Sequence, residues 1–174
     1  MKFSIIAAAD EGGGIGIGNG LPWRLKGDLK YFSEVTTHAA PGKANAVIMG
    51  RKTWESLPES SKPLKSRLNV VLSRGDTALP EGVLKASSLD DAFKELGSRH
   101  DTDRVFVIGG ASLYAQAVNH PDCEKIYLTE VLGQFNCDAF FPVIPVGLYN
   151  KISTSKIWEE HGTKYRFTVY QRIS

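Results

Sequence analysis

The sequence is poor in cysteine, has no long apolar run and leans to neither sign of charge. Its 174 residues include two cysteines, Cys123 and Cys137. They do not stand in C-x-x-C spacing and no N-x-[ST] sequon occurs, which excludes a disulfide-stapled secreted scaffold and leaves two reduced thiols as the expectation. The first apolar run, Phe3 to Ala9, is too short for a secretory core or a membrane span and ends at Asp10-Glu11 without a basic leader. A cytoplasmic protein with no membrane partner is therefore expected. Twenty-one Lys and Arg against nineteen Asp and Glu leave a net charge of +2. The basic residues are spread along the chain, so nucleic acid is not an expected partner. G-x-S-x-G and G-x-x-x-x-G-K-[ST] are both absent, which removes support for acyl transfer and P-loop phosphoryl transfer. His38, His100, His120 and His161 share no ligand spacing, and none is assigned to a metal.

What is present suits one globular domain over residues 1–174, large enough for a core and a cleft. Short β-branched or apolar runs at Phe3–Ala9, Ala46–Met49, Leu68–Ser73, Val83–Ala86, Val105–Ile108 and Ile126–Val131 read as strands. Helical patterns lie between them: Leu25–Thr37, Lys52–Leu57 before Pro58, Leu89–Leu96 between Ser88 and Gly97, and Ala111–Asn119 before Pro121. This alternation predicts an α/β fold with a mostly parallel central sheet and flanking helices. Ile152–Trp158 and Tyr165–Ile173, around His161-Gly162, predict a C-terminal antiparallel hairpin on the sheet edge.

Four features could carry chemistry. On a helical wheel Leu25, Leu29, Phe32 and Val35 form one apolar stripe, while Lys26, Lys30, Ser33 and Glu34 face away. Asp28 falls inside the stripe, either as a helix N-cap or as a buried acid suited to proton chemistry on a heterocycle. Gly12 to Gly20 holds six glycines in nine residues, but Leu21-Pro22-Trp23 follows where a Rossmann unit would open a helix. The alternatives are a mobile lid ending in a large aromatic and a plain flexible connection. Gly109-Gly110 between a strand and the helix from Ala111 suits either a phosphate site or close packing. Arg51-Lys52-Thr53 holds the same position after its own strand, and two such sites suit a pyrophosphate-bearing cofactor. Ser73-Arg74, after the strand ending near Leu72, is either a solvated turn or a seat for the 2′-phosphate that separates NADPH from NADH.

Read in order, several segments resemble dihydrofolate reductase. They are Gly14-Ile-Gly16 with Leu21-Pro22-Trp23, Asp28-Leu-Lys-Tyr-Phe32, Val47-Ile-Met-Gly-Arg-Lys-Thr-Trp54, Pro63-Leu-Lys-Ser-Arg67 with Val71-Leu-Ser-Arg74, Ile108-Gly-Gly110 and Phe140-Phe-Pro142. The resemblance spans essentially the whole chain. It implies NADPH-dependent reduction of dihydrofolate in one-carbon metabolism, by an enzyme that antifolate-type inhibitors would also bind; with no signal for an oligomer in the sequence, a monomer is expected. Asp28 would hold the pterin through N3 and the 2-amino group, Thr129 would bridge to that acid, and Trp23 would complete the catalytic group. Ile6, Ala8, Leu29, Phe32, Leu57, Leu64 and Ile108 would wall the substrate pocket. Arg67, by itself as easily a surface charge, would pair with the α-carboxylate of the glutamyl tail. Arg51, Lys52, Thr53, Leu72, Ser73 and Arg74 would meet the cofactor phosphates, with Ala8, Ile15, Gly109, Gly110, Ser112, Leu113 and Tyr114 as further cofactor contacts. A cis peptide between Gly109 and Gly110 is implied as well. The rival readings are a pyrimidine reductase of riboflavin synthesis with the same fold, which should lack the helix-face acid, and a non-catalytic binding protein.

Overall fold

Alternation of side chains builds the central strand. In β1 (Phe3–Asp10), Phe3, Ile5, Ala7 and Ala9 enter one apolar cluster, whereas Ile6 and Ala8 pack in two separate clusters on the opposite face. A strand buried on both faces needs neighbours on both sides and helices above and below. The computed structural model, which describes residues 1–174, supplies them. The chain continues through β2 (Gly14–Gly16), α1 (Lys26–Thr37), β3 (Ala44–Gly50), α2 (Arg51–Ser56), β4 (Arg67–Leu72), β5 (Leu84–Ala86) and α3 (Leu89–Gly97). After these come β6 (Thr102–Gly109), α4 (Ala111–Asn119), β7 (Cys123–Val131), β8 (Ala139–Phe140), β9 (Tyr149–Thr154), β10 (Trp158–Glu160) and β11 (Thr163–Arg172).

Nine strands form one sheet in the order β10-β11-β7-β1-β6-β3-β4-β5, with β9 also paired to β11. From β7 to β5 every pairing is parallel, and β11 joins β7 antiparallel. Residues of α3 and α4 share the cluster of Phe3 and Ile5, while α1 and α2 cover the face of Ile6, Val47 and Phe106. The carboxyl ends of β1, β6, β3 and β4 therefore open on one rim, the usual place for ligands in such sheets. No helix is long and apolar enough to cross a membrane.

Two expectations need correction. The first arm of the predicted hairpin, Ile152–Trp158, is two strands rather than one, because Ser155 interrupts it: its N–H donates to Phe167 O at 2.8 Å and its Oγ accepts from Phe167 N at 2.9 Å. Both pieces lie along the same edge of β11. The glycine segment is also not a plain, unpaired connection. Gly14–Gly16 pairs with Ala139–Phe140, and Asp10 Oδ1 accepts from the N–H groups of Gly12 (3.0 Å) and Gly14 (2.7 Å). At the exposed tip Ile17 and Gly20 exchange backbone hydrogen bonds of 2.9 and 3.0 Å, Gly18 N–H donates to Asp138 Oδ2 at 3.1 Å and the Asn19 amide donates to Lys52 O at 3.3 Å.

Candidate active site

The apolar stripe of α1 lies against the sheet, and the helix is tied at both ends. At its start Leu25 occupies the cap position and offers no side-chain oxygen. Glu160 of β10 replaces it, accepting from Lys26 N–H at 2.8 Å and Gly27 N–H at 2.6 Å. At its end the Asn45 side-chain amide donates to the carbonyls of Thr36 and His38, both at 2.9 Å. Asp28 is thereby freed from capping, which removes the N-cap reading. Its Oδ1 instead accepts from the buried Thr129 hydroxyl of β7 at 2.7 Å.

Burial, opposed in part by the Thr129 hydrogen bond and reinforced by the negative charge of Glu160, holds the Asp28 carboxyl above its ordinary range. Between the unfolded and folded values the native chain binds the extra proton, so stability falls as pH rises through that window, and the cost is complete above it. Asp28→Asn keeps an acceptor for Thr129 and removes the charge. It is expected to raise the melting temperature of the ligand-free protein at pH 7 by a few degrees, a gain that fades towards the acid end of the window. Thermal unfolding scans at several pH values check this, and an unchanged or lower midpoint at pH 7 would speak against a desolvated carboxylate.

Around that acid, Ile6, Phe32, Leu57, Leu64 and Ile108 meet in one apolar cluster, and Ala8 packs with the cluster of Trp23. Leu29 is 43% exposed, so the helix stripe is an open wall and not a filled core. Arg67 lies at the far end of the same wall. Its guanidinium is 5.9 Å from the Phe32 ring, with Nη1 donating to Thr36 Oγ1 at 3.0 Å and Nε to Lys65 O at 2.9 Å. The eight steps from Asp28 to Thr36 rise about 12 Å along the helix, so an acid and a guanidinium mark the two ends of an apolar slot. Trp23 closes the slot beside the glycine segment. It is buried edge-on to Phe135 at 5.2 Å between centroids, and its indole N–H has no protein partner.

The cationic and small residues gather on the adjoining rim, past the carboxyl ends of β3, β4 and β6. The Gly109-Gly110 peptide is cis, as the resemblance implies. A Cβ added at either glycine would sit 3.2 to 3.3 Å from Thr53 Oγ1, and Gly109 has φ of 139°, so both size and conformation call for glycine there. Gly110 caps α4 without a side chain, and Tyr114 N–H is the first to pair, with Gly110 O at 2.9 Å. The N–H groups of Ala111, Ser112 and Leu113 are left for an anion. The side chains of Leu113 and Tyr114 are both buried. Leu113 belongs to the core and offers only its N–H. The Tyr114 hydroxyl lies 2.8 Å from Ile6 O and 2.7 Å from Ile108 O, bracing the slot from behind. Burial pushes that phenol far above its ordinary pKa.

Arg51 is held by Glu55 at 2.7 Å, while Lys52 and Arg74 are exposed. Ser73 Oγ shares a 2.6 Å hydrogen bond with Thr77, which sequence reading missed. Ile15 and Leu72 pack, partly buried, against the opposite cluster and border this rim. Other omissions are Asp10, Thr36 and Glu160. An aspartate two residues before a glycine run is an Asx-turn signal that could have found Asp10, but nothing local links Glu160 to a helix more than 130 residues away.

The family model for dihydrofolate reductase matches residues 2–172. A protein of Heliothis virescens named dihydrofolate reductase is 41% identical, covering 99% of this chain and 98% of that protein. The mouse protein of the same name is 42% identical, over 96% of this chain and 95% of its own length. A bifunctional dihydrofolate reductase-thymidylate synthase of Glycine max is 40% identical over 98% of this chain, which matches 34% of that longer protein. A match of this extent, on a chain with an acid and a guanidinium at the two ends of the α1 wall and a glycine cradle on the sheet rim, leaves one assignment: the protein belongs to the dihydrofolate reductase family.

Proposed function

We propose that the chain reduces 7,8-dihydrofolate to 5,6,7,8-tetrahydrofolate in the slot between α1 and the sheet, with NADPH as the reductant. The observation that carries the reading is Asp28, an acid on the apolar face of α1 held by Thr129 at 2.7 Å. Reduction of the C6–N5 double bond needs a hydride at C6 and a proton at N5, and NADPH supplies the hydride. Asp28 accepts hydrogen bonds from N3–H and the 2-amino group, which fixes the ring in its plane. The fixed negative charge favours the positive charge that develops on protonation, with water as the final proton donor at N5. Thr129 sets the rotation of the carboxylate, and Trp23 keeps bulk water from the reacting face. Leu29, Phe32, Leu57 and Leu64 line the path to the tail, whose α-carboxylate pairs with Arg67. Antifolate-type inhibitors would compete for the same pocket. A single domain over residues 1–174, acting as a cytoplasmic monomer, is the setting that goes with this reading.

The rim fits the cofactor. The glycine cradle admits a close backbone approach, the first N–H groups of α4 suit a pyrophosphate, and Arg51, Lys52 and Thr53 stand beside them. Ser73 and Arg74 are the residues for the 2′-phosphate. Arg74→Ala is expected to weaken NADPH by roughly tenfold or more, the scale of one charge-assisted hydrogen bond, and to leave NADH almost unchanged. Titration of both cofactors checks this, and equal losses would remove Arg74 from that role.

The activity itself is tested by following NADPH absorbance with purified protein and dihydrofolate, with a ribosylated pyrimidine of the flavin route as control. Oxidation in step with dihydrofolate, and none with the pyrimidine, is expected. The reverse preference, or no oxidation with either, refutes the reading.

A further inference from the structure

The hydrogen bonds that cap α1 come from the last hairpin of the chain, and they meet on one carboxylate. Glu160 Oε1 accepts from Gly27 N–H at 2.6 Å and from the Tyr165 hydroxyl at 2.7 Å, while Oε2 accepts from Lys26 N–H at 2.8 Å. Tyr165 is buried between Trp23, Leu25 and Val131, so the hydroxyl that orients Glu160 is itself fixed by packing. Gly27 completes the arrangement. A Cβ there would run into the Tyr165 hydroxyl and lie 2.9 Å from Glu160 Oε1, so the helix can approach this closely only as glycine. The residue after Gly27 is Asp28, and a helix rotated or shifted by a fraction of a turn would take its carboxylate away from Thr129.

We infer that Glu160 is a positioning residue for the reaction: with Tyr165 and Gly27 it forms a clamp that fixes the first turn of α1, and thereby the aim of Asp28 into the slot. The inference rests on the assignment of Asp28 as the pterin-holding acid. The clamp acts on charge as well as on place. Asp28 is faced by Thr129 from β7, Tyr165 from β11, Tyr114 from α4, Tyr31 on its own helix and Glu160 from β10. Burial pushes Tyr31 and Tyr165 up to about 12, so these phenols stay neutral in the working range. Glu160, with His161 next to it in sequence, is the one full charge bearing on Asp28. Its own carboxyl is held below its ordinary range by the Tyr165 and Gly27 hydrogen bonds, which favour its charged form.

Three variants of the full-length enzyme test the clamp: Glu160→Gln, which keeps the size and removes the charge and one acceptor; Glu160→Asp, which keeps the charge; and Gly27→Ala, which keeps every titratable group and forces the clamp open. Glu160→Gln is expected to lower kcat at pH 7 roughly tenfold, with less change in KM, as misplacement of a reacting group by a fraction of an ångström does. It should also move the midpoint of the pH–rate profile to lower pH, because a like charge near Asp28 is gone. Glu160→Asp should restore the midpoint, and Gly27→Ala should reproduce the loss in kcat. Carbon-13 NMR titration of the Asp28 carboxyl in the ligand-free protein gives a second readout that survives even if dihydrofolate proves not to be the substrate. A folded Glu160→Gln or Gly27→Ala enzyme with wild-type kcat, or a Glu160→Gln midpoint unchanged by both methods while only the melting temperature falls, would overturn the inference.

Discussion

Asp28→Asn should cut hydride transfer to dihydrofolate at pH 7 by roughly a hundredfold or more, the scale on which a positioned proton-handling group acts. The amide retains an acceptor for the Thr129 hydroxyl, so the side chain keeps its place. What it loses is the charge that makes N5 more basic, together with one of the two acceptors for the ring. The loss should shrink as the pH is lowered, because dihydrofolate then reaches the site already protonated at N5 and the enzyme no longer has to favour that step. Pre-steady-state hydride transfer across the pH range checks this. Near-normal transfer at pH 7 in the variant would contradict the role. The same substitution is expected to stabilise the ligand-free fold, so the site would be a place where stability is given up for chemistry.

Arg67→Leu is expected to weaken dihydrofolate binding by roughly a hundredfold, with kcat at saturation far less affected. The guanidinium is half-buried against Phe32, and two of its donors are committed, one to Thr36 Oγ1 and one to Lys65 O. Nη2 and the second Nη1 proton are left to meet a carboxylate. Loss of one partner of a desolvated, charge-assisted pair costs about 2–5 kcal/mol, much of it from the stranded opposite charge. Leucine retains much of the apolar contact with Phe32, so the fold should tolerate it. A ligand lacking the glutamyl tail should bind wild type and variant alike. An unchanged dissociation constant for dihydrofolate in the variant would place the tail elsewhere.

Where a side chain's environment is set by its own strand or helix, the sequence was readable. The strand read over Phe3–Ala9 extends to Asp10, the helix read over Leu25–Thr37 runs from Lys26 to Thr37, and Ser88 caps α3 by accepting from Asp91 N–H at 3.0 Å, all set by local patterns. Asp28 could be placed on the apolar stripe for the same reason. Its freedom from capping could not, because the group that takes over the helix end is Glu160, brought near by β10–β11 pairing. The short β2–β8 ladder stayed hidden in a glycine run that carries no alternation. The break at Ser155 was equally silent, since the alternating pattern continues through it while the hydrogen bonds do not. Leu113 and Tyr114 sit at helix positions that satisfy both a core and a rim, and only packing separates the N–H of one from its side chain.

The central claim is that the Asp28 carboxylate grips the pteridine at the edge of the sheet, beside the nicotinamide. Crystals of the protein grown with folate and NADP+ would test it most directly. Both carboxylate oxygens should lie within hydrogen-bonding reach, roughly 2.6–3.2 Å, of N3 and the 2-amino nitrogen, with the tail carboxylate at Arg67. A pteridine bound away from α1, or a carboxylate turned out to solvent with the ring in place, would contradict it.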